Sequence, residues 1–108
     1  YGAQADCEYT RYTIALHNDD AMAERVAACA AQMTSVCHVD RAMRMMAGED
    51  FAFFAEQVPA CFYFVGCGTA QGSNEPHHSP RFVVDEAALP LAVELMLRAT
   101  VDWLQRRT

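Results

Sequence analysis

Ala60-Cys61-Phe62-Tyr63-Phe64-Val65-Gly66 decides the reading of this chain. Aromatic and β-branched residues follow one another there without polar alternation, the pattern of a strand covered on both faces in the middle of an α/β sheet. Pro59 stops whatever precedes the run, and Gly66 opens a stretch of Gly, Ser, Asn and Pro that lasts to Pro80. A connection of about fifteen residues is long for a small domain, and such loops more often carry function than merely join elements. This one leaves the carboxyl end of the expected central strand, where open α/β sheets place their ligands.

Working outward, residues 50–57 predict a short helix with Phe51, Phe54 and Val58 on one face, and Glu49 and Asp50 suit the positive end of its dipole. Downstream, residues 86–106 predict a long helix with Leu89, Val93, Met96, Leu97, Thr100, Val101 and Leu104 on one side and Arg98, Arg106 and Arg107 toward its end. Upstream, Met22, Val26, Cys29, Ala30 and Met33 recur at helical spacing from Ala21, with Asn18 or Asp19 placed to cap them. This helix should run about four turns, and its many alanines predict that most of its faces are covered. Residues 4–12 alternate as a strand does, and 35–39 and 42–46 read as short extended pieces. The polar corner His17-Asn18-Asp19-Asp20 separates that first strand from the alternating helices and strands beyond it, and marks a domain boundary.

Composition excludes several classes of function. With 108 residues, 53% of them apolar, the chain can build one modest core. Its net charge is −6, from 14 acidic and 8 basic side chains, and it contains no lysine. Such a surface repels phosphate backbones and anionic lipid, so neither nucleic acid nor a membrane is the expected partner. Five cysteines, an odd count with no C-x-x-C pair, read as small buried hydrophobes in a reducing compartment. No apolar stretch approaches the ~20 residues of a membrane span and no signal segment opens the chain, so the expected location is the cytoplasm.

The residues that could carry chemistry are few. His17 and His38 read as solvated or satisfied imidazoles. His77-His78-Ser79-Pro80 is a turn carrying two adjacent imidazoles, and Pro80 restrains Ser79 toward an extended backbone. Adjacent side chains point in roughly opposite directions, so one of the pair at most faces a given site; spacing alone leaves both a metal ligand and plain surface open. Glu49-Asp50 is equally open between a helix cap and a carboxylate projecting into the same mouth. A nucleophilic site is not expected, because G-x-S-x-G is absent and Cys67 has no orienting histidine. Gly66-x-Gly68 with Gly72 lacks the helix start of a phosphate loop.

Taken in order, four strings resemble a known family: Met46-Ala47-Gly48-Glu49-Asp50-Phe51-Ala52-Phe53-Phe54, Val58-Pro59-Ala60-Cys61-Phe62-Tyr63-Phe64-Val65-Gly66, His78-Ser79-Pro80-Arg81-Phe82, and Asp85-Glu86-Ala87-Ala88-Leu89-Pro90-Leu91. They resemble the C-terminal part of the M20 metallopeptidases, in the amidohydrolase branch of hippurate hydrolases, N-acyl-amino-acid deacylases and auxin-conjugate hydrolases. The match runs from residue 9 to the C-terminus. Tyr12-Thr13-Ile14-Ala15-Leu16-His17-Asn18-Asp19 stands where the family has a segment resembling Y-P-P-x-x-N-D, but lacks both prolines and has one residue extra.

The resemblance implies an α/β fold: the C-terminal part of a zinc-peptidase-like catalytic domain, residues 19–108, preceded by the last strand of an inserted α/β lid domain, residues 1–18. It implies two divalent metal ions, zinc, manganese or cobalt, in the full-length enzyme, and a metal-activated water that hydrolyses the amide bond of a small N-acyl amino acid. By motif position the metal ligand falls on His78, while His77 takes a place usually held by an apolar residue. Glu49 becomes a substrate-side or ligand-supporting group, and Asp50 chiefly a cap. The general-base glutamate and the other ligands belong to segments upstream. The chain alone is then expected to be inactive, to expose apolar edges and faces and to self-associate or aggregate in solution, while the full-length protein is expected to be a homodimer. The alternative is a truncated, non-catalytic paralogue acting as a binding or dimerisation module; a third reading is an exopeptidase of the same family.

Overall fold

The computed structural model describes residues 1–36, 38–69 and 75–106. Three helices occur among them: α1 (Asp20–Ala31), α2 (Ala52–Ala55) and α3 (Ala88–Gln105).

α1 begins where the sequence predicts, and of the two candidate caps it is Asp19 that acts. Its Oδ1 accepts the Met22 N–H at 2.9 Å, meeting one of the donors that a helix start leaves unpaired. Val26, Cys29 and Ala30 are buried, as is Met33 just beyond the helix. The expectation that most faces are covered fails, since Ala21, Ala28 and Ala31 are exposed. At 12 residues α1 is also shorter than four turns.

α3 packs against α1 through the opposite side from the one expected. Ala88 and Leu95 are buried, and Leu91 and Ala99 join the core. The predicted stripe faces solvent: Leu89, Val93, Met96, Leu97, Val101 and Leu104 are all exposed. α3 is apolar on both sides, and the side that meets α1 carries Leu91, Leu95 and Ala99. Arg25 crosses from α1 to α3, where Nε donates to Asp102 Oδ2 at 2.8 Å and Nη2 to the Asp102 carbonyl at 2.9 Å. Its guanidinium lies 4.8 Å from the centroid of the Trp103 ring. Arg106 also donates to Asp102, and the two arginines hold that carboxyl below the usual carboxylate range, Arg25 contributing most.

The expected strands are the main correction, because no β-strand occurs among the described residues. Residues 1–12 are exposed throughout, and 42–46 are exposed as well. The 60–66 run lies in an irregular stretch but is half-covered rather than buried on both faces: Cys61 and Tyr63 pack on the α1–α3 core, while Phe64 is exposed. A strand is defined by a neighbouring backbone, and this segment finds one only at isolated points. Asp19 N–H donates to the Ala60 carbonyl and Asp85 N–H to the Cys67 carbonyl, both at 2.9 Å. At Phe62 a side chain substitutes for a strand: the Asn18 amide accepts the Phe62 N–H and donates to the Phe62 carbonyl, both at 2.8 Å.

α2 is shorter than the predicted 50–57 helix. The turn before it closes through Phe53 N–H to Asp50 and Phe54 N–H to Phe51, the tighter three-residue pattern. Of its expected shared face, Phe51 is half-covered while Phe54 and Val58 are exposed. The radius of gyration is 18.3 Å, against about 13 Å for a compact domain of this length. The accessible surface, 9303 Å², exceeds the roughly 6000 Å² of a compact protein of this mass. Many apolar surfaces are thus uncovered, as the sequence predicts.

Candidate functional site

The histidine turn is built from two successive tight turns. Ser79 N–H donates to the Pro76 carbonyl and Phe82 N–H to the Ser79 carbonyl, each at 3.1 Å. Ser79 Oγ binds Glu75 Oε2 at 3.3 Å and accepts the Arg81 N–H at 3.2 Å, while Arg81 Nη2 pairs with Glu75 Oε1 at 3.1 Å. Between these contacts His78 takes φ 69°, the left-handed region, where it is the one non-glycine with positive φ among the described residues. That conformation costs roughly 1–2 kcal/mol for an L-residue, though histidine enters it more readily than most. Both imidazoles are exposed, but they differ in surroundings. The His77 ring meets Phe82 edge-on, with centroids 5.2 Å apart, and Phe64 at 6.1 Å.

Those contacts belong to a longer row of rings. Phe51 lies 6.1 Å from Phe54 and 5.7 Å from Phe62, which meets Phe64 in a T-shape at 5.2 Å. Phe62 and Phe64 are two residues apart and so share one face of an extended chain, while Cys61 and Tyr63 turn to the helices. The row joins the Gly48-Glu49-Asp50-Phe51 motif to the histidine turn. Sequence reasoning saw apolar residues without alternation and missed this division, because Tyr63 on the helix side is as aromatic as Phe62 and Phe64 on the other.

Glu49 is half-buried, and its Oε1 accepts the Phe51 N–H at 3.2 Å, so the side-chain bond to this turn comes from Glu49. Thr13 docks on the motif: its Oγ1 donates to the Glu49 carbonyl at 3.2 Å, and a Cβ on Gly48 would come within 3.1 Å of Thr13 Cγ2. A side chain larger than hydrogen at 48 therefore pushes on residue 13.

The other candidates remain apart from this row. His17 lines an open depression of about 400 Å³ between the 17–19 corner and the 55–59 turn, which neither His77 nor His78 touches. His38 is exposed. Burial pushes the Cys61 thiol up, away from nucleophilic character, and burial followed by Cys61 does the same to the Tyr63 hydroxyl. Cys29 is buried as expected, but Cys7 is exposed and Cys67 half-buried; these three and Cys61 are free thiols. Cys37, Gly72 and Arg107 lie outside the described residues, as does the middle of the long loop, 70–74.

Among the described residues no three His, Cys, Asp or Glu side chains converge as a metal site would require. His78 has suitable donor chemistry for a borderline dication and fits as one member of a larger set. No described helix is long and apolar enough to cross a membrane.

Comparison with known proteins defines the class to which these motifs belong. Residues 4–102 match peptidase family M20/M25/M40, and the chain belongs to that family. It is 34% identical over 96 residues to the IAA-amino acid hydrolase ILR1-like 6 of Arabidopsis thaliana, covering 84% of this chain and 21% of that protein. It is 31% identical over 106 residues to the N-acetylcysteine deacetylase of Bacillus subtilis, covering 97% of this chain and 26% of that protein. The chain thus spans about a quarter of the length of these relatives. No solved structure matches it significantly.

Proposed function

We propose that the protein carrying this chain is a metal-dependent amidohydrolase that cleaves the amide bond of small N-acyl amino acids. The observation that carries this reading is the family match across residues 4–102; the names of the relatives, an IAA-amino acid hydrolase and an N-acetylcysteine deacetylase, support acylated amino acids as the substrate class. Residues 19–108 are read as the C-terminal part of the catalytic domain and 1–18 as the end of a lid. In support, the buried core begins at Val26 and residues 1–12 are exposed throughout.

His78 is assigned as a metal ligand and Glu49 as a group beside the site, already spending one carboxylate oxygen on its own turn. Two divalent ions, zinc, manganese or cobalt, supply an activated water when bound. The remaining ligands and the general-base glutamate are assigned to the part of the protein outside this chain. A single imidazole holds no metal at useful affinity, so the 108-residue chain alone is inactive. A homodimer in a reducing, cytoplasmic compartment completes the reading.

The test is release of free amino acid from N-acetyl and N-arylacetyl amino acids by the full-length protein supplied with Zn²⁺, Mn²⁺ or Co²⁺, and by the 108-residue chain. We expect turnover by the first and none by the second, and His78→Ala should lower kcat/KM at least about a hundredfold, beyond the 10–100-fold typical of groups that only support a ligand. A full-length protein that releases nothing from either substrate class with any of the three metals sinks the proposal.

A further inference from the structure

The two histidines of the turn are neighbours in sequence, yet they are held differently. Each is exposed, but His77 has its ring fixed edge-on against Phe82 at 5.2 Å and beside Phe64 at 6.1 Å. We propose that His77 is a positioning residue: its ring, wedged between Phe64 and Phe82, anchors the turn so that His78, in its left-handed backbone conformation, presents its imidazole to a cation. This rests on the assignment of His78 as the ligand.

A left-handed residue is less stable than the same residue in the ordinary regions, and it persists where contacts on both sides over-determine it. The Pro76–Ser79 turn and the Glu75–Ser79–Arg81 contacts bracket His78 within the turn, and the Ser79–Phe82 turn follows it. The His77 ring adds a contact from the turn to Phe64 outside it. That ring belongs to the row that runs from Phe54 and Phe51, beside Glu49, through Phe62 and Phe64 to Phe82. His77 therefore sets the turn relative to the segment 62–64 that is packed on the helices, and an aromatic ring of any kind should serve, whereas a ligand needs its nitrogen.

That distinction gives the test. The readouts are Zn²⁺ bound per full-length chain and its affinity, by equilibrium dialysis against Zn²⁺, together with nuclear Overhauser contacts between His77 and Phe82 ring protons in the metal-free full-length protein. His77→Phe should bind Zn²⁺ as the parent does. His77→Gly should weaken it roughly 10- to 100-fold, the range seen for groups that orient a ligand, and His78→Phe should lose one equivalent. The proposal is overturned if His77→Phe loses as much Zn²⁺ as His78→Phe, if His77→Gly folds and binds as the parent does, or if the ring contacts are missing. Full Zn²⁺ binding by His78→Phe instead overturns the ligand assignment itself. Should His77→Gly not fold, His77→Phe and the ring contacts still decide.

Discussion

The α1–α3 pair and the segment 60–67 meet through Cys61 and Tyr63, yet they satisfy their backbone needs in opposite ways. Each helix pairs its own N–H and C=O groups internally, so it needs from the rest of the molecule only something apolar to cover one face. The extended segment pairs nothing with itself. It borrows the Asn18 side chain at Phe62, the Asp19 N–H at Ala60 and the Asp85 N–H at Cys67. Elements whose hydrogen bonds are local form wherever their residues favour them; a sheet forms only where a second strand is present. The residues with candidate chemistry, Glu49 and the histidine turn, flank the second kind of region.

The largest expected effect tests the helical side. Leu95 is 8% exposed and Leu97, on the same helix, 61%. Leu95→Ala should cost about 2–4 kcal/mol of unfolding free energy, the range for a buried leucine, and Leu97→Ala less than about 0.5 kcal/mol, as for an exposed position. Denaturant unfolding of the 108-residue chain measures both. Equal losses would mean that the stripe exposed here is covered in solution, and the contrast between the two faces of α3 would collapse.

A smaller effect tests the extended side. Asn18→Ala removes both bonds to Phe62 and should cost about 1–2 kcal/mol, with faster amide exchange at Phe62. Asn18→Asp keeps the acceptor for the Phe62 N–H and loses the donor to its carbonyl, so it should lie between alanine and the parent. Unchanged exchange at Phe62 in Asn18→Ala would show that another partner holds this segment.

The smallest effect is a pH dependence between the two helices. Asp102 is held below the usual carboxylate range by Arg25 and then Arg106. A depressed carboxyl contributes stability that is present above its unfolded value and is lost as pH falls through its folded value. The melting temperature of the parent should therefore drop on acidification below the ordinary aspartate range more than that of Asp102→Asn. Parallel curves for the two would remove this ion pair from the account of how α1 and α3 hold together.

Much was legible in the residues themselves. α1 was readable because Asp19 precedes apolar residues at 22, 26, 29, 30 and 33, and α3 because its apolar residues recur at helical spacing. The motifs around Gly48 and His78 were legible in the same way, and family membership bears them out as a family resemblance. The side of α3 that packs was not legible, because both sides are apolar. Nor was the strand, because 60–66 carries the composition of a strand but not its partner.

The sequence by itself determined the family, the three helical segments and the short list of candidate groups, since these depend on residue identity and on spacing along one chain. Only the tertiary structure decided that Asp19 caps while Asn18 pairs with Phe62, that Leu95 is buried while Leu97 is not, and that His77 packs between rings beside a left-handed His78. Each of these depends on which surface arrives from a distant part of the chain, and spacing along one segment carries no information about that.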